Sequence, residues 1–179
     1  MALLERKNDG ATVVEDRFTR VGDDAALPEG GVIVSLARFQ AERDALLARD
    51  GELGVWLDSD ESPAAIADDL GSLAVVACNF PAFNDGRAFS YARLLRERYA
   101  YEGEVRAIGE VMLEQAPFMV RSGFSAFDLH DVEDVAEFKA VVEEVRTVYQ
   151  PTGDGRATAL QRRLGGVVPV SPSTVQGSQ

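Results

Sequence analysis

Leu73-Ala-Val-Val-Ala-Cys78, followed by Asn79-Phe-Pro-Ala-Phe-Asn-Asp-Gly-Arg87, is the stretch that decides the fold class. An uninterrupted apolar run with β-branched residues predicts a strand that helices cover on both faces. The run then breaks into a loop with proline and glycine, after which apolar residues recur at three- and four-residue spacing from Phe89 to Tyr99. Strand, loop and helix in this order make one β–α unit of an α/β fold.

Similar units lie on both sides of this stretch. The predicted strands are 31–36, 54–58, 73–78, 104–108 and 124–129. The predicted helices are 37–49, 63–71, 88–99, 110–121 and 132–148. Five units with short connections predict a mainly parallel sheet with right-handed crossovers. We expect an open, doubly wound sheet rather than a partial barrel, because five units do not close an eight-stranded barrel.

The length of 179 residues fits one domain with additional segments at its ends. We expect residues 1–30 to form an N-terminal segment with an edge strand within 11–21, and residues 31–150 to form a single α/β domain. Residues 151–179 are rich in glycine, proline, serine and threonine and carry no periodic apolar pattern, so we expect much of this tail to be disordered.

Charge and cysteine content exclude several classes of protein. The chain has 30 acidic and 18 basic residues, a net charge of -12 that predicts no binding to nucleic acid or to an anionic membrane. Cys78 is the single cysteine, which rules out an internal disulfide, a zinc ribbon and a four-cysteine iron–sulfur cluster. The first thirty residues show no signal-peptide pattern, and the uncharged run 70–84 contains Pro81 and is shorter than a membrane span. We therefore expect a cytoplasmic protein.

Parallel α/β sheets bind ligands outside the carboxyl ends of their strands. This rule collects the following segments and side chains: Asp58 and Asp60, residues 79–87, Gly109 and Glu110, and Asp128, His130 and Asp131. An arginine beside helix-start amides can hold phosphate, sulfite or a carboxylate, although the acidic neighbours oppose an anion here. The residues that we predict to bind a ligand or a partner are Phe80, Phe83, Asn84, Asp85, Arg87, Glu110 and Arg121.

Each of these residues also has a purely structural interpretation. Asp85 is equally well explained as a helix cap with Arg87 on the surface, whereas Phe80 and Phe83 fit core or partner-contact roles better than a cofactor site. His130, the single histidine, fits a capping role better than acid–base catalysis, and Cys78 fits an inert buried thiol. Neither the dinucleotide-binding nor the phosphate-loop glycine pattern occurs. The residues therefore predict no cofactor and identify no catalytic group.

A longer pattern surrounds the loop. It consists of Phe80-Pro-x-Phe83-x-Asp85-Gly-Arg87-Ala-x-Ser90-x-Ala92-Arg93-Leu-Leu-Arg96-Glu-Arg98-Tyr99, then Gly103-Glu-x-Arg106-Ala-x-Gly109, Arg121-x-Gly123-Phe124-x-Ala-Phe127 and Tyr149-Gln150. Over residues 31–150 the chain resembles the bacterial domain-of-unknown-function 934 family. Pro117, within a predicted helix, departs from the family pattern and either kinks or starts that helix.

Members of that family are commonly labelled as oxidoreductases of sulfite reduction, so the resemblance implies a place in sulfate assimilation toward cysteine. Whether the chain is itself an enzyme stays open. We expect an accessory protein without its own redox cofactor that contacts sulfite reductase or its electron donor through the aromatic loop and nearby arginines. The alternative is a small oxidoreductase or anion-binding protein in which Arg87 holds the anion and Asp85 or Glu110 moves protons. A homo-oligomer formed through the last helix is a third interpretation.

Overall fold

Strand and helix alternate through the middle of the chain. The structure is a computed structural model, and it describes residues 2–7, 10–129, 135–144, 147–152 and 156–165. The strands are β1 (Ala2–Lys7), β2 (Gly10–Val14), β3 (Phe18–Arg20), β4 (Gly31–Ser35), β5 (Leu53–Leu57), β6 (Val75–Phe80), β7 (Glu104–Gly109) and β8 (Ala126–Leu129). The α-helices are α1 (Leu36–Leu47), α2 (Arg87–Arg93), α3 (Ala116–Ser122), α4 (Val135–Glu144) and α5 (Ala159–Arg163). All five strands predicted from the sequence are present, as β4 to β8.

The eight strands form one sheet in the order β2-β1-β8-β7-β6-β5-β4-β3. Strands β3 to β8 are parallel, whereas β1 is antiparallel to both β2 and β8. The predicted mainly parallel sheet is therefore confirmed. The doubly wound arrangement is wrong, because β3 to β8 follow one another across the sheet without a reversal of order. Right-handed crossovers between such strands place their helices on the same face.

One face of the sheet carries the helices. A single core joins strand residues such as Phe127 to Phe39 of α1, Met119 of α3 and Phe138 of α4. The rings of Phe127 and Phe138 lie 5.1 Å apart. Among the described residues, no helical residue belongs to the separate apolar cluster on the other face. We call the helix-covered side the outer face and the opposite side the inner face.

The sheet curls into a half-barrel. Strands β2 and β3 form its two edges, yet only residues 15–17 separate them in the chain. In a flat sheet, seven strand spacings would put these edges about 34 Å apart. Four residue steps from Val14 to Phe18 span at most about 14 Å. The edges must therefore curve toward each other, which encloses the inner face.

The expected open sheet was wrong because it rested on a count of only five strands. Residues 2–20 contribute three more strands, so the sheet reaches the eight strands that curl into a half-barrel. The edge strand expected within 11–21 is divided between β2 at one edge and β3 at the other. The N-terminal segment 1–30 thus shares its sheet with the residues that follow.

The inner face has its own small core. Phe18 packs with Ile33, Val75, Ala77 and Ile108, and Trp56 lies at the margin of this cluster. Gly31 makes room for the ring, because a Cβ on this residue would lie 2.9 Å from Phe18 Cδ1. Residue 18 therefore fills the inside of the half-barrel from an edge strand only three residues long.

A buried arginine completes the inner face. Arg106, 3% exposed, donates through Nε to Glu104 at 2.6 Å and through Nη1 to Asp16 at 2.7 Å. Its guanidinium carbon lies 5.5 Å from the centroid of the Phe18 ring. The arginine therefore links β7 to the segment before β3, across the interior of the half-barrel.

Several helices differ in kind or extent from the predictions. Residues Pro63–Ser72 form a 3₁₀ helix, capped by Ser62 as predicted. A π-helical segment, Leu94–Arg98, continues α2, and a 3₁₀ turn, Leu113–Gln115, precedes α3. Pro117 lies in the first turn of α3, so it starts this helix and does not kink it. None of the helices in the described ranges combines the length and apolar character that a bilayer crossing requires.

The C-terminal part of the chain is described only in pieces. Helix α4 corresponds to the middle of the last predicted helix, and residues 130–134 and 145–146 lie outside the described residues. Within the tail that we expected to be disordered, α5 is capped by Thr158, and Thr158 forms a parallel bridge with Val148. Residues 153–155 and 166–179 of that tail lie outside the described residues.

Candidate functional site

The carboxyl ends of β5, β6 and β7 meet at one rim of the half-barrel. Asn79 pairs with Ile108 and Phe80 with Gly109, so the loops that follow β6 and β7 start side by side. The backbone N–H of Glu110 donates to the Phe80 carbonyl at 2.8 Å. The loop 81–86 and Glu110, which the sequence collected from separate units, therefore share this rim.

Asp85 and Arg87 form a bidentate ion pair within the rim. Arg87 donates through Nε to Asp85 Oδ1 at 3.0 Å and through Nη2 to Oδ2 at 2.6 Å. The backbone N–H of Arg87 also donates to Oδ1 at 3.2 Å. These hydrogen bonds from Arg87 hold the pKa of Asp85 well below its usual range. Asp85 is therefore a carboxylate at neutral pH and offsets the charge of its neighbour.

The loop after β5 joins this pair through Ser59. The Ser59 hydroxyl accepts from Arg87 Nη2 at 2.7 Å, and its carbonyl accepts from the Tyr91 hydroxyl at 2.7 Å. Ser59 is buried, and partial burial raises the pKa of Tyr91. Loop 58–62 and helix α2 are thus fixed against each other. The sequence analysis did not identify Ser59 or Tyr91 as site residues. The position of Ser59 directly after Asp58, at the end of β5, was a signal that could have identified Ser59.

A row of aromatic rings leads from the core to the rim surface. Phe80 is fully buried, its ring lies 5.1 Å from that of Phe89, and Phe89 lies 5.0 Å from Phe118 in an edge-to-face arrangement. Phe118 is 56% exposed, Phe83 60% and Met112 46%. Gln115 Nε2 donates to the Phe83 carbonyl at 3.2 Å, which holds the 81–86 loop beside α3. We call Phe83, Met112 and Phe118 the rim apolar surface.

The rim region lies within the part of the chain that matches a known family. The family model described as "Bacterial protein of unknown function (DUF934)" matches residues 54–160, which is more than half of the chain. The chain belongs to this DUF934 family. Comparisons with curated proteins and with solved structures give no match. The matched range of this DUF934 protein contains the ion pair and the rim apolar surface, and it begins after β4.

Polar side chains of the DUF934 protein also lie at the rim end of the inner face. Asn79 Nδ2 donates to Asp58 Oδ1 at 2.8 Å, and the backbone N–H of Asp58 donates to Glu61 at 2.8 Å. Trp56 lies one layer deeper and is half-buried. Within the described ranges, no group of three or more histidine, cysteine or acidic side chains is arranged to hold a metal ion. The Asp58–Asn79 pair mainly joins β5 to β6.

Several predicted site residues lie elsewhere or have structural contacts. Arg121, near the end of α3, donates to the Gln150 carbonyl at 2.8 Å and to the Thr152 hydroxyl at 3.3 Å. Asn84 is exposed in the rim loop. Cys78 is fully buried, and burial raises the pKa of its thiol to about 12. His130 and Asp131 lie outside the described residues. The structure thus brings together the 83–87 loop and Glu110, whereas the hydrogen bonds of Arg121 join α3 to the 150–152 segment.

Proposed function

We propose that this DUF934 protein is an accessory protein of assimilatory sulfite reduction that has no redox cofactor of its own. In this proposal it contacts sulfite reductase or its electron donor through Phe83, Met112 and Phe118. The family resemblance supplies the pathway. The observation that carries the docking role is the exposure of three large apolar side chains on rim segments that contact each other through Gln115 and Phe83.

The rim apolar surface has the physical properties of a docking site. Contiguous exposed apolar side chains commonly mark interaction surfaces, and phenylalanine and methionine are enriched in them. The Phe118 ring rests against Phe89, and the Phe83 backbone is held by Gln115. A ring and a loop backbone that are already held in place lose less conformational entropy when a partner binds, which favours affinity.

The same geometry opposes the alternative in which Arg87 binds a small anion. Two donor groups of Arg87 are engaged by Asp85, and one of them also contacts Ser59. An incoming anion would have to compete with this bidentate carboxylate. The exposed carboxylates of Asp60 and Glu110 at the same rim add repulsion. The contacts of Arg87 therefore favour the docking role.

The proposal is tested with purified sulfite reductase and its purified electron donor, each titrated separately with the full chain by calorimetry. We expect one of them to bind. The double variant Phe83→Ser and Phe118→Ser should weaken binding by about a hundredfold, the effect of removing two interface anchors. Leu160→Ser is the matched control, because Leu160 is 64% exposed but lies on α5, outside the rim apolar surface. Binding of neither component, or equal effects of the rim and control variants, would contradict the proposal.

A deletion strain tests the pathway. We expect slow growth with sulfate or sulfite as the sulfur source and normal growth with sulfide, because sulfide enters after the reduction step. Complementation by Arg87→Ala should succeed if docking is the function, since this residue is not part of the rim apolar surface. Failure of a stably folded Arg87→Ala variant to complement would instead favour the anion-binding alternative.

A further inference from the structure

We infer that the partner presents a basic border of lysine or arginine side chains around an apolar pocket. This inference rests on the proposed docking function and adds the chemistry of the partner. It follows from the charges that surround Phe83, Met112 and Phe118. Two exposed glutamates, Glu110 and Glu114, border this surface on the β7–α3 connection.

Backbone and side-chain contacts locate both glutamates. The hydrogen bond from the Glu110 backbone to Phe80 places it at the start of the 81–86 loop. Glu114 lies in the 3₁₀ turn 113–115, between Met112 and Gln115, whose side chain contacts the Phe83 carbonyl. Both residues therefore belong to the same connection as Met112, and this connection contacts the loop that carries Phe83.

The nearby basic groups do not cancel these charges. Arg87, 56% exposed, is paired with the Asp85 carboxylate at 2.6 Å. Arg121, one helical turn from Phe118 on α3, donates to the neutral carbonyl of Gln150, so its single positive charge offsets at most one of the two glutamates. Helix α4, which packs against α3, carries Glu137, Glu143 and Glu144 against the single Lys139, and Lys139 lies 3.8 Å from Glu143. The β7–α3 connection beside the rim apolar surface therefore keeps an excess of negative charge, as does the whole chain with its charge of -12.

An apolar centre with a border of one charge sign selects its partner in two ways. The apolar side chains supply most of the binding free energy when they are desolvated. The carboxylates speed up association with a basic surface and repel an acidic one. Binding should therefore weaken as the salt concentration rises, because salt screens exposed charges.

The first experiment uses defined probes in place of the natural partner. Two synthetic amphipathic peptides carry the same leucine face, one with lysine and the other with glutamate on the polar face. Each is titrated into the isotope-labelled full chain, and amide chemical shifts report where it binds. We expect the lysine peptide to shift the amides of 83–86 and 112–118, and the glutamate peptide to leave them unchanged.

The second experiment reverses the charge of the border. In the double variant Glu110→Lys and Glu114→Lys we expect the lysine peptide to bind roughly tenfold more weakly at the rim and the glutamate peptide to gain affinity. Asp68→Lys is the control, because Asp68 is exposed in the 3₁₀ helix 63–72. This substitution changes the net charge by the same amount as each of the two glutamate substitutions. It should leave the site and the strength of peptide binding at the rim unchanged.

The outcomes separate this inference from the proposed function. Rim shifts with the lysine peptide but no binding of the sulfite-reduction proteins would contradict the proposed function and leave the basic-partner inference standing. Binding of sulfite reductase or its donor through Phe83 and Phe118, with no loss in the Glu110→Lys and Glu114→Lys variant, would overturn the inference alone. The absence of rim shifts with both peptides, or equal shifts with both, would also overturn it.

Discussion

The two faces of the sheet are built by different means. On the outer face, helices that directly follow their strands cover the sheet, and Phe39 and Phe138 pack into that core at 1% exposure each. On the inner face, Phe18 and Arg106 fill the space, although 88 positions separate them in the chain. Helices α1 and α2 of the outer face pack on strands that adjoin them in sequence, whereas the contact of Phe18 with Arg106 on the inner face joins residues far apart. Only the first kind of contact leaves a periodic pattern in the sequence.

Removing the Phe18 ring gives the largest expected effect. Phe18→Ala should lower the free energy of unfolding by about 4 kcal/mol, because a buried phenylalanine is replaced by a cavity. Urea unfolding followed by circular dichroism measures this change. The matched variant on the outer face is Phe39→Ala, for which we expect a similar loss. A loss below about 1 kcal/mol for Phe18→Ala alone would mean that the inner core contributes little, against the usual range for core phenylalanines.

The buried arginine gives the next effect. Arg106→Ala leaves Glu104, 10% exposed, without its ion-pair partner and should cost about 3 kcal/mol. Arg93→Ala is the control: it breaks a pair with Glu97 in which both side chains are exposed, at 48% and 41%, and should cost less than about 1 kcal/mol.

A compensating variant sharpens this test. Replacing both Arg106 and Glu104 by methionine removes the buried pair without leaving a buried charge, so most of the stability should return. Chemical denaturation of the single and double variants gives the comparison. A double variant less stable than Arg106→Ala would show that the ion pair itself, rather than the unpaired carboxylate, determines the loss.

A glycine at the rim gives a smaller effect. Gly109 has φ of 89°, and a Cβ there would lie 2.4 Å from the Phe80 carbonyl oxygen. Gly109→Ala should destabilise the protein by about 2 kcal/mol, because the left-handed backbone and the close approach both disfavour a side chain. Gly86→Ala, at the same rim, has its nearest contact at 3.6 Å and should change stability by less than about 0.5 kcal/mol. Thermal unfolding of both variants checks the difference, and equal midpoints would refute it.

The Asp85–Arg87 pair gives the smallest expected effect, seen as a dependence on pH. The pKa of Asp85 is lower in the folded protein than in the unfolded chain, so its contribution to stability is complete above the unfolded pKa of about 3.9 and decreases as the pH falls below it. The stability difference between the protein and Asp85→Asn should therefore be constant from pH 6 to pH 7 and shrink in acid. Denaturation at a series of pH values measures it, and a difference that grows in acid would have the wrong sign.

The rim was partly predictable from the sequence. Phe83, Asp85, Arg87 and Glu110 follow the ends of adjacent parallel strands, and the rule for such sheets brings their loops to one edge. The hydrogen bonds and ring contacts between the elements of the rim were not predictable. Ser59 and Arg87 are hydrogen-bonded although 28 positions separate them in the chain. The exposure of Phe118 depends on how α3 packs against α2, where its ring contacts Phe89. Hydrogen bonds and ring contacts between loops depend on distances that periodicity does not encode.

By itself, the sequence determined the alternation of strands and helices, the parallel direction of the central strands and the edge at which their loops meet. These features depend on local patterns, because residues 31–129 carry a regular apolar repeat in each element. Only the tertiary structure decided that the sheet is singly wound and curled, with β2 and β3 at its two edges. That outcome depends on the pairing of β1 with β8 and on the contact of Phe18 with Arg106, which join residues so far apart in the chain that no local pattern predicts them.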